Sequence, residues 1–381
     1  MATFNYEREL GTLKDRDVSG LMEVLVQSKP TLFQVIKKGS PVNLNKFEWM
    51  EKQLTPSSWT IASFDTNGTG TGINFVSTTG LAAGMILTFV SSTGQYRTEK
   101  VKIVSVDDGT DVTVTRTYGS TTGVTLVVGD VATGFTPLGE GSSAGTSSTL
   151  LPTLNNNYTQ IEEETVSLSR NALESAKIGM YDALADATND ALTKLLWKQN
   201  TSLIYGTPVA RSSTEKGTTG GLIHFLTGGN VNSTGGALAA SHINNTIEMC
   251  VNDGAVASKW LLVMNTNQAK KLTALNASQT YVTTSGLINP QIGGSVKQFI
   301  PDFQIPGGAS GGDIFIDTSM PKDMILVVNP DLVKIRYWKE VQQKDATPNG
   351  DDRILLRFLT EYGYEIKNGT TAHGMITGLN V

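Results

Sequence analysis

Between residues 171 and 205 the apolar positions recur at steps of three and four. Leu173, Ala176, Met180, Leu184, Ala187, Ala191 and Leu195 fall on one stripe, and that spacing predicts a single long helix. Asn171 followed by Glu174 matches a capping box at its start, and Gly206 with Pro208 gives the stop. At a rise of about 1.5 Å per residue the rod would span roughly 50 Å, well beyond an ordinary globular helix. Its stripe is rich in alanine and contains Gly179, so other backbone can lie close along it. Such a helix suits either an ordinary α/β core or a strut in a flat, extended subunit.

A different period runs from residue 59 to 136. Short β-rich runs at 59–61, 74–76, 85–90, 101–106, 112–118 and 126–131 are separated by turn signals such as Asn67-Gly68 and Asp108-Gly109. They predict a small antiparallel barrel or sandwich, residues 57–137 or thereabouts, inserted in a longer loop. Before it, residues 1–45 show no single period and too few apolar residues for a core, so they predict an arm lying on something else. Lys46-Phe-Glu-Trp49 alternates as a strand would. After the insert, residues 139–157 are rich in Gly, Ser, Thr and Asn and suggest a mobile tract, and 157–168 returns as a strand feeding the long helix.

Beyond the helix, Ile243, Ile247 and Cys250 share one helical face, 260–264 is a buried strand and 266–275 a helix. Strands follow at 313–317, 324–328 and 333–338, with Asn329-Pro-Asp331 turning between the last two. In the closing segment, Ile354, Leu356, Phe358, Tyr362, Tyr364 and Ile366 alternate with Arg353, Arg357, Glu361, Glu365 and Lys367. That pattern predicts one long strand, packed on one face and wet on the other.

Composition sharpens this picture. Charged residues make up 17% of the 381, against about 25% in average proteins. Residues 217–247 and 272–296 contain no Asp, Glu, Lys or Arg at all. Uncharged stretches that are not greasy suit surfaces covered by neighbours, and equally suit flexible polar loops. The net charge of -5 argues against a dedicated nucleic-acid binder. Cys250 is the sole cysteine, which excludes an intrachain disulfide. No window resembles a membrane span, and the opening MATFNYEREL lacks the apolar core of a secretory leader, so no export is expected.

Candidate chemistry is sparse. His224, His242 and His373 stand apart from each other and from any Cys or carboxylate at metal-ligand spacing, so each is expected to be structural. Gly307-Gly-Ala-Ser-Gly-Gly312 lacks the Gly-Lys-Ser/Thr of a phosphate cradle. Asp65-Thr-Asn67-Gly68 lacks the bidentate Glu of a calcium loop. Glu162-Glu-Glu164 lies on a predicted strand, where neighbours face opposite sides, so it is a charge run rather than an acid/base pair. No catalytic residue, cofactor or metal is expected.

The ordered series of elements resembles the major capsid protein of tailed bacteriophages, a fold shared with encapsulin shells, in the form whose extended loop carries an inserted β-domain. The residues that carry the resemblance are Pro30-Thr-Leu-Phe33 and Lys38-Gly39 in the arm, Lys46-Phe-Glu-Trp49 opening the loop and Asn157-Tyr-Thr-Gln-Ile161 closing it. Arg211, Gly220-Gly-Leu-Ile223, Glu361-Tyr, Asn368 and His373-Gly follow in order. The acidic run at Glu162 and Arg170-Asn171 depart from the family pattern.

The resemblance implies an α+β fold: an N-terminal arm (1–45), an extended loop with its β-domain (46–168) and a spine helix of a peripheral domain (169–206). An axial domain with a peripheral-domain helix (207–332) and closing peripheral strands (333–381) complete it. It also implies self-assembly, as hexamers and pentamers, into an icosahedral virion shell around double-stranded DNA, with scaffolding, portal and decoration proteins as further partners, in a host cytoplasm and without a membrane. An encapsulin-like compartment is the alternative, and a β-rich adhesion or sugar-binding protein a more distant one.

Phe33, Val35, Ile36, Phe47 and Trp49 are large apolar groups on segments with no core of their own. They are therefore expected to find cover on adjacent subunits rather than in their own chain.

Overall fold

A computed structural model of the chain describes residues 31–52, 58–65, 67–138, 140, 152–174, 183–255, 257, 259–277, 298–303 and 312–381. The expectations for residues 1–30, for Ala176, Gly179 and Met180, for the uncharged residues 278–296 and for Gly307 to Gly311 lie outside these.

In chain order, a single 3-10 turn (Leu32–Gln34) precedes β1 (Lys37–Lys38) and β2 (Lys46–Glu51). Six strands follow: β3 (Ser58–Phe64), β4 (Gly72–Phe75), β5 (Ile86–Val90), β6 (Tyr96–Val106), β7 (Asp111–Thr115) and β8 (Val131–Phe135). Then come β9 (Thr153–Tyr158), β10 (Gln160–Ser169), α1 (Arg170–Glu174), α2 (Ala183–Tyr205), α3 (Leu222–Leu226), β11 (Asn230–Ser233) and α4 (Ala240–Asn252). The rest is β12 (Trp260–Met264), α5 (Thr266–Ala277), β13 (Gln298–Phe299), β14 (Gly312–Ile316), β15 (Ile325–Val328), β16 (Val333–Asp345), β17 (Arg353–Ile366) and β18 (Gly374–Thr377). The chain divides into two compact units, Met50–Thr153 and the remainder.

The smaller unit is a closed barrel in the order β3-β4-β7-β6-β5-β8. Alternate residues of every strand point inward, so Trp59, Ile61, Ile73, Phe75, Leu87, Phe89, Val101, Ile103, Val112, Val114 and Ala132 form one core. Closure leaves no unpaired edge. Five of the six strands lie where the β-rich runs predict them. The sixth does not: residues 126–130 form a turn, and the strand is Val131–Phe135. Asp130 accounts for the shift. Its carboxylate accepts the Val127 amide at 2.9 Å, and its own amide donates to the Val127 carbonyl at 3.0 Å. Gly129 adopts the left-handed φ of +91° that this turn requires. Leu126 still goes inward, as a plug on the barrel core.

The larger unit contains two sheets. One has the order β1-β16-β17-β10, the other β11-β18-β15-β12-β14-β13. A two-stranded ladder, β2-β9, completes the pairing. The predicted long helix appears as α1 and α2 with residues 175–182 between them undescribed. Its cap is Ser169, whose hydroxyl accepts the Ala172 amide at 3.3 Å, two residues earlier than the Asn171 box. The helix ends at Tyr205, directly before Gly206 as expected. Ala191 and Leu195 pack with Val166, Leu356 and Phe358, so the small-residue stripe faces the four-stranded sheet. The end of the Gly/Ser-rich tract is not a loop: Thr153–Tyr158 is β9.

His373 shows how tightly the second sheet is closed. It is fully buried; its Nδ1 accepts the Asn329 amide and its Nε2 donates to the Lys367 carbonyl, each at 3.1 Å. Burial pushes its pKa down from 6.5 to about 4, against a smaller opposing effect of the Lys367 carbonyl. Between these values the unfolded chain binds a proton that the folded chain refuses. Full stability is therefore present above pH 6.5 and is lost as pH falls toward 4, by about 3 kcal/mol for the whole displacement. Urea unfolding of the unassembled subunit at several pH values checks this. The slope across that window is expected to flatten in His373→Gln, and an unchanged slope would assign it to other groups.

Candidate assembly interface

The arm is held by a buried polar latch. Asp317, just after β14, accepts the Leu32 amide at 3.1 Å, the Asn200 side-chain amide at 2.8 Å and the Ser319 amide at 2.8 Å. Asn200 in turn accepts the Phe33 amide at 3.1 Å. Each group of this latch finds a partner, which is what permits a carboxylate to sit inside the subunit. Leu32 is fully buried and Phe33 packs edge-on against Tyr362 and Tyr364 at 6.2 and 6.4 Å. The arm then runs parallel to β16, with Lys37 opposite Lys334 and Lys38 opposite Ile335. A side chain at Gly39 would come within 2.8 Å of Arg336 Cδ, so glycine allows the close approach.

The loop stem is tied down just as firmly. Asn157 is fully buried and uses its whole amide: Nδ2 donates to the Gly220 and Tyr364 carbonyls (3.1 and 2.7 Å), and Oδ1 accepts the Gly220 and Tyr158 amides (2.7 and 2.9 Å). Thr159 donates to Glu361 Oε1 at 2.9 Å, and Arg211 pairs with the same oxygen at 3.0 Å. Phe47, Trp49 and Phe225 stack in sequence at 6.0 and 5.9 Å. A Cβ on Gly363 would lie 2.6 Å from Phe47, so the ring fills the space that glycine leaves.

These contacts correct one premise. Phe33, Ile36, Phe47 and Trp49 were expected to lack cover in their own chain, yet each is 5–7% exposed within it. Phe33 and Ile36 join the core of α2, β16 and β17, while Phe47 and Trp49 pack with Val42 and Phe225. The physical reason is that β17 receives the two segments on opposite faces: Phe33 packs against Tyr362 and Tyr364, and Phe47 fills the space over Gly363. Val35 alone of the five points outward, 43% exposed, and Leu44 nearby is 70% exposed. A second correction follows: the far face of β17 is not wet along its whole length. Glu361 and Glu365 are buried beneath the stem and arm, matched by Arg211 and Arg336.

The acidic run divides as a strand dictates. Glu163 faces away and pairs with Arg357, while Glu162 and Glu164 face α2, where Lys198 meets Glu164. They border a groove of about 800 Å³ between β10 and α2 that also includes Lys194, Ser202 and Tyr205. Burial raises the Glu162 pKa. The Ser202 hydroxyl in this groove is bound to those of Tyr362 and Tyr364 and not to a histidine or carboxylate, and His224 and His242 serve locally. His224 packs edge-on against Phe225, and His242 accepts the Ala239 amide at the start of α4. Cys250 is buried, and burial pushes its thiol to about 12. Among the described residues no group of three or more His, Cys, Asp or Glu could hold a metal ion.

Solved structures share this architecture end to end. The capsid of an empty GTA particle is 12% identical with a TM-score of 0.55, covering 100% of both chains. The capsid of a native GTA particle is 11% identical at a TM-score of 0.52, again over 100% of both. Mycobacterium phage Bobi gives 12% identity and a TM-score of 0.50 over 99% of each chain. At such identity these likenesses concern the fold. No curated protein matches the sequence. The family model described as SU10 major capsid protein matches residues 2–380. The chain therefore belongs to the SU10 major capsid protein family, and it is a non-enzymatic, shell-forming structural protein of a tailed-phage virion.

Proposed function

We propose that the parts of this subunit divide the work of the shell as follows. Residues 1–45 form an arm and 46–168 an extended loop bearing the barrel. Residues 169–206 are the spine of a peripheral domain, 207–332 the axial domain with a peripheral helix, and 333–381 the closing peripheral strands. Copies group as hexamers and pentamers around double-stranded DNA, with scaffolding, portal and decoration proteins as further partners.

The observation that carries this reading is the double anchorage. Buried hydrogen bonds tie the arm to α2, through the Phe33 amide and Asn200, and the loop stem to β17, through Asn157 and the Tyr364 carbonyl and through Thr159 and Glu361. Ser202 of α2 joins the two elements at the hydroxyls of Tyr362 and Tyr364. A pull on either segment by a neighbour is thus passed to one rigid frame. In this reading Val35 meets the adjacent subunit directly, with Leu44 beside it. Phe33, Ile36, Phe47 and Trp49 hold the arm and loop in the geometry that contact needs. The net charge of -5 suits a container that does not grip its genome, since tight phosphate binding needs many Lys and Arg contacts.

Negative-stain microscopy of the chain expressed alone tests the reading. Closed particles are expected. Monomers under all assembly conditions would show that the chain is not sufficient by itself, and particles filled with a cargo enzyme would favour the compartment alternative.

A further inference from the structure

The barrel carries a surface feature that its own fold does not use. Four strands and the residue that follows β4 place five outward-facing residues in one row. Tyr96 on β6 pairs with Val90 on β5, Val90 with Val131 on β8, and Val131 with Thr60 on β3. The Val76 amide, one residue past β4, donates to the Thr60 carbonyl at 3.0 Å. The residues beside Val90, Val131, Thr60 and Val76 belong to the barrel core, and Tyr96 is the register partner of Val90, so the row faces out. Val76 is 68% exposed and Tyr96 62%, and Val128, in the turn leading to β8, is 56% exposed. Strands β3, β5 and β8 contain no charged residue. Arg97, beside Tyr96, pairs with the buried Asp130 at 2.9 Å, and Lys100 and Asp111 border the row, opposite Thr88 and Asn74.

We propose that this belt is a barrel-to-barrel contact between neighbouring copies of the chain in the assembled shell. The occupant follows from area. The exposed apolar surface is on the order of a few hundred Å², the size of the largest patch on an ordinary soluble protein. That is below the roughly 800 Å² per partner of a free-standing complex. A separate protein would have too little to hold on this belt alone. A second copy already tethered in the shell is present at high effective concentration and needs no more. The contact therefore forms on assembly and is absent between free subunits. It rests on the shell-forming role and adds to it a task for the inserted barrel.

Photo-cross-linking in the full chain tests the contact, with p-benzoylphenylalanine replacing Tyr96 in one variant and Val128 in another. Particles are first verified by microscopy, so failure to assemble and failure to cross-link are read separately. Cross-linked dimers are expected from particles and not from unassembled subunits, with the linked peptides on both sides mapping to residues 58–135. Adding Val76→Asp to either variant is expected to remove the dimer band while particles persist. Particles without dimers, or links that map outside the barrel, would overturn the proposal. So would equal cross-linking of unassembled subunits. Absence of particles from both variants and the unmodified chain would remove its premise.

Discussion

Trp49→Ala is expected to destabilise the unassembled subunit by about 3–5 kcal/mol, the range for emptying a buried aromatic site. Trp49 is 7% exposed and sits between Phe47 and Phe225, with Val42 closing the cluster. Its loss opens a cavity that the neighbouring rings cannot fill, because Phe47 is already seated against Gly363. Particle yield should fall as well, since the cluster fixes the segment through which the loop leaves the subunit. Urea unfolding of the unassembled protein separates the two effects. A large loss of subunit stability identifies Trp49 as a core residue whose influence on assembly is indirect. Unaltered subunit stability with failed assembly would instead place the indole against a neighbour, and the intrachain cluster would then not be its functional environment.

Glu99→Ala should have a comparable effect confined to the barrel. Glu99 is fully buried, and Arg116 binds it through Nε at 2.7 Å and through Nη2. The Thr117 and Val124 amides also donate to it, at 3.1 and 2.8 Å. Burial by itself would raise the Glu99 pKa; the Arg116 hydrogen bonds and those two amides outweigh it and hold the carboxyl below its ordinary value. Arg116 further donates to the Gly68 and Val124 carbonyls, so the pair fastens two loops to the barrel wall. Removing the carboxylate leaves a guanidinium, only 12% exposed, without its counter-charge. That situation costs about 3–5 kcal/mol. Hydrogen exchange is the suitable measurement, because the barrel has its own core and forms a separate compact unit. Protection should drop across Tyr96–Val106 and Asp111–Thr115 and persist in Arg353–Ile366. Equal loss in both units would show that they unfold as one.

Much of this fold is legible in the sequence because its signals are local. A strand period of two and turn residues at Asn67-Gly68 and Asp108-Gly109 suffice to mark a small β-domain, and a three-to-four spacing ending at Gly206 suffices to mark the long helix. These depend on neighbours a few residues apart, so the chain declares them without reference to the rest. The alternation of Leu356, Phe358, Tyr362 and Tyr364 likewise announces a packed face on the closing strand. The displaced last barrel strand and the cap at Ser169 were missed for a related reason. Apolar content and residue type mark only the neighbourhood of each; amide hydrogen bonds accepted by the Asp130 carboxylate and the Ser169 hydroxyl move the strand to Val131–Phe135 and the cap two residues upstream.

Tertiary structure alone decided what covers what. Nothing near Phe33 in the chain indicates that Tyr362 and Tyr364 await it, and nothing near Glu361 indicates that Arg211 and Thr159 will neutralise and bury it. The partners are separated by 150 residues or more in these pairs, for example Arg211 and Glu361. Burial is a property of the assembled layers, so a periodic pattern can say which face of a strand is apolar but not that its polar face will also be enclosed. The same limit applies to the outward belt of the barrel. Tyr96, Val90, Val131, Thr60 and Val76 are scattered in the sequence, and only the pairing register brings them into one row.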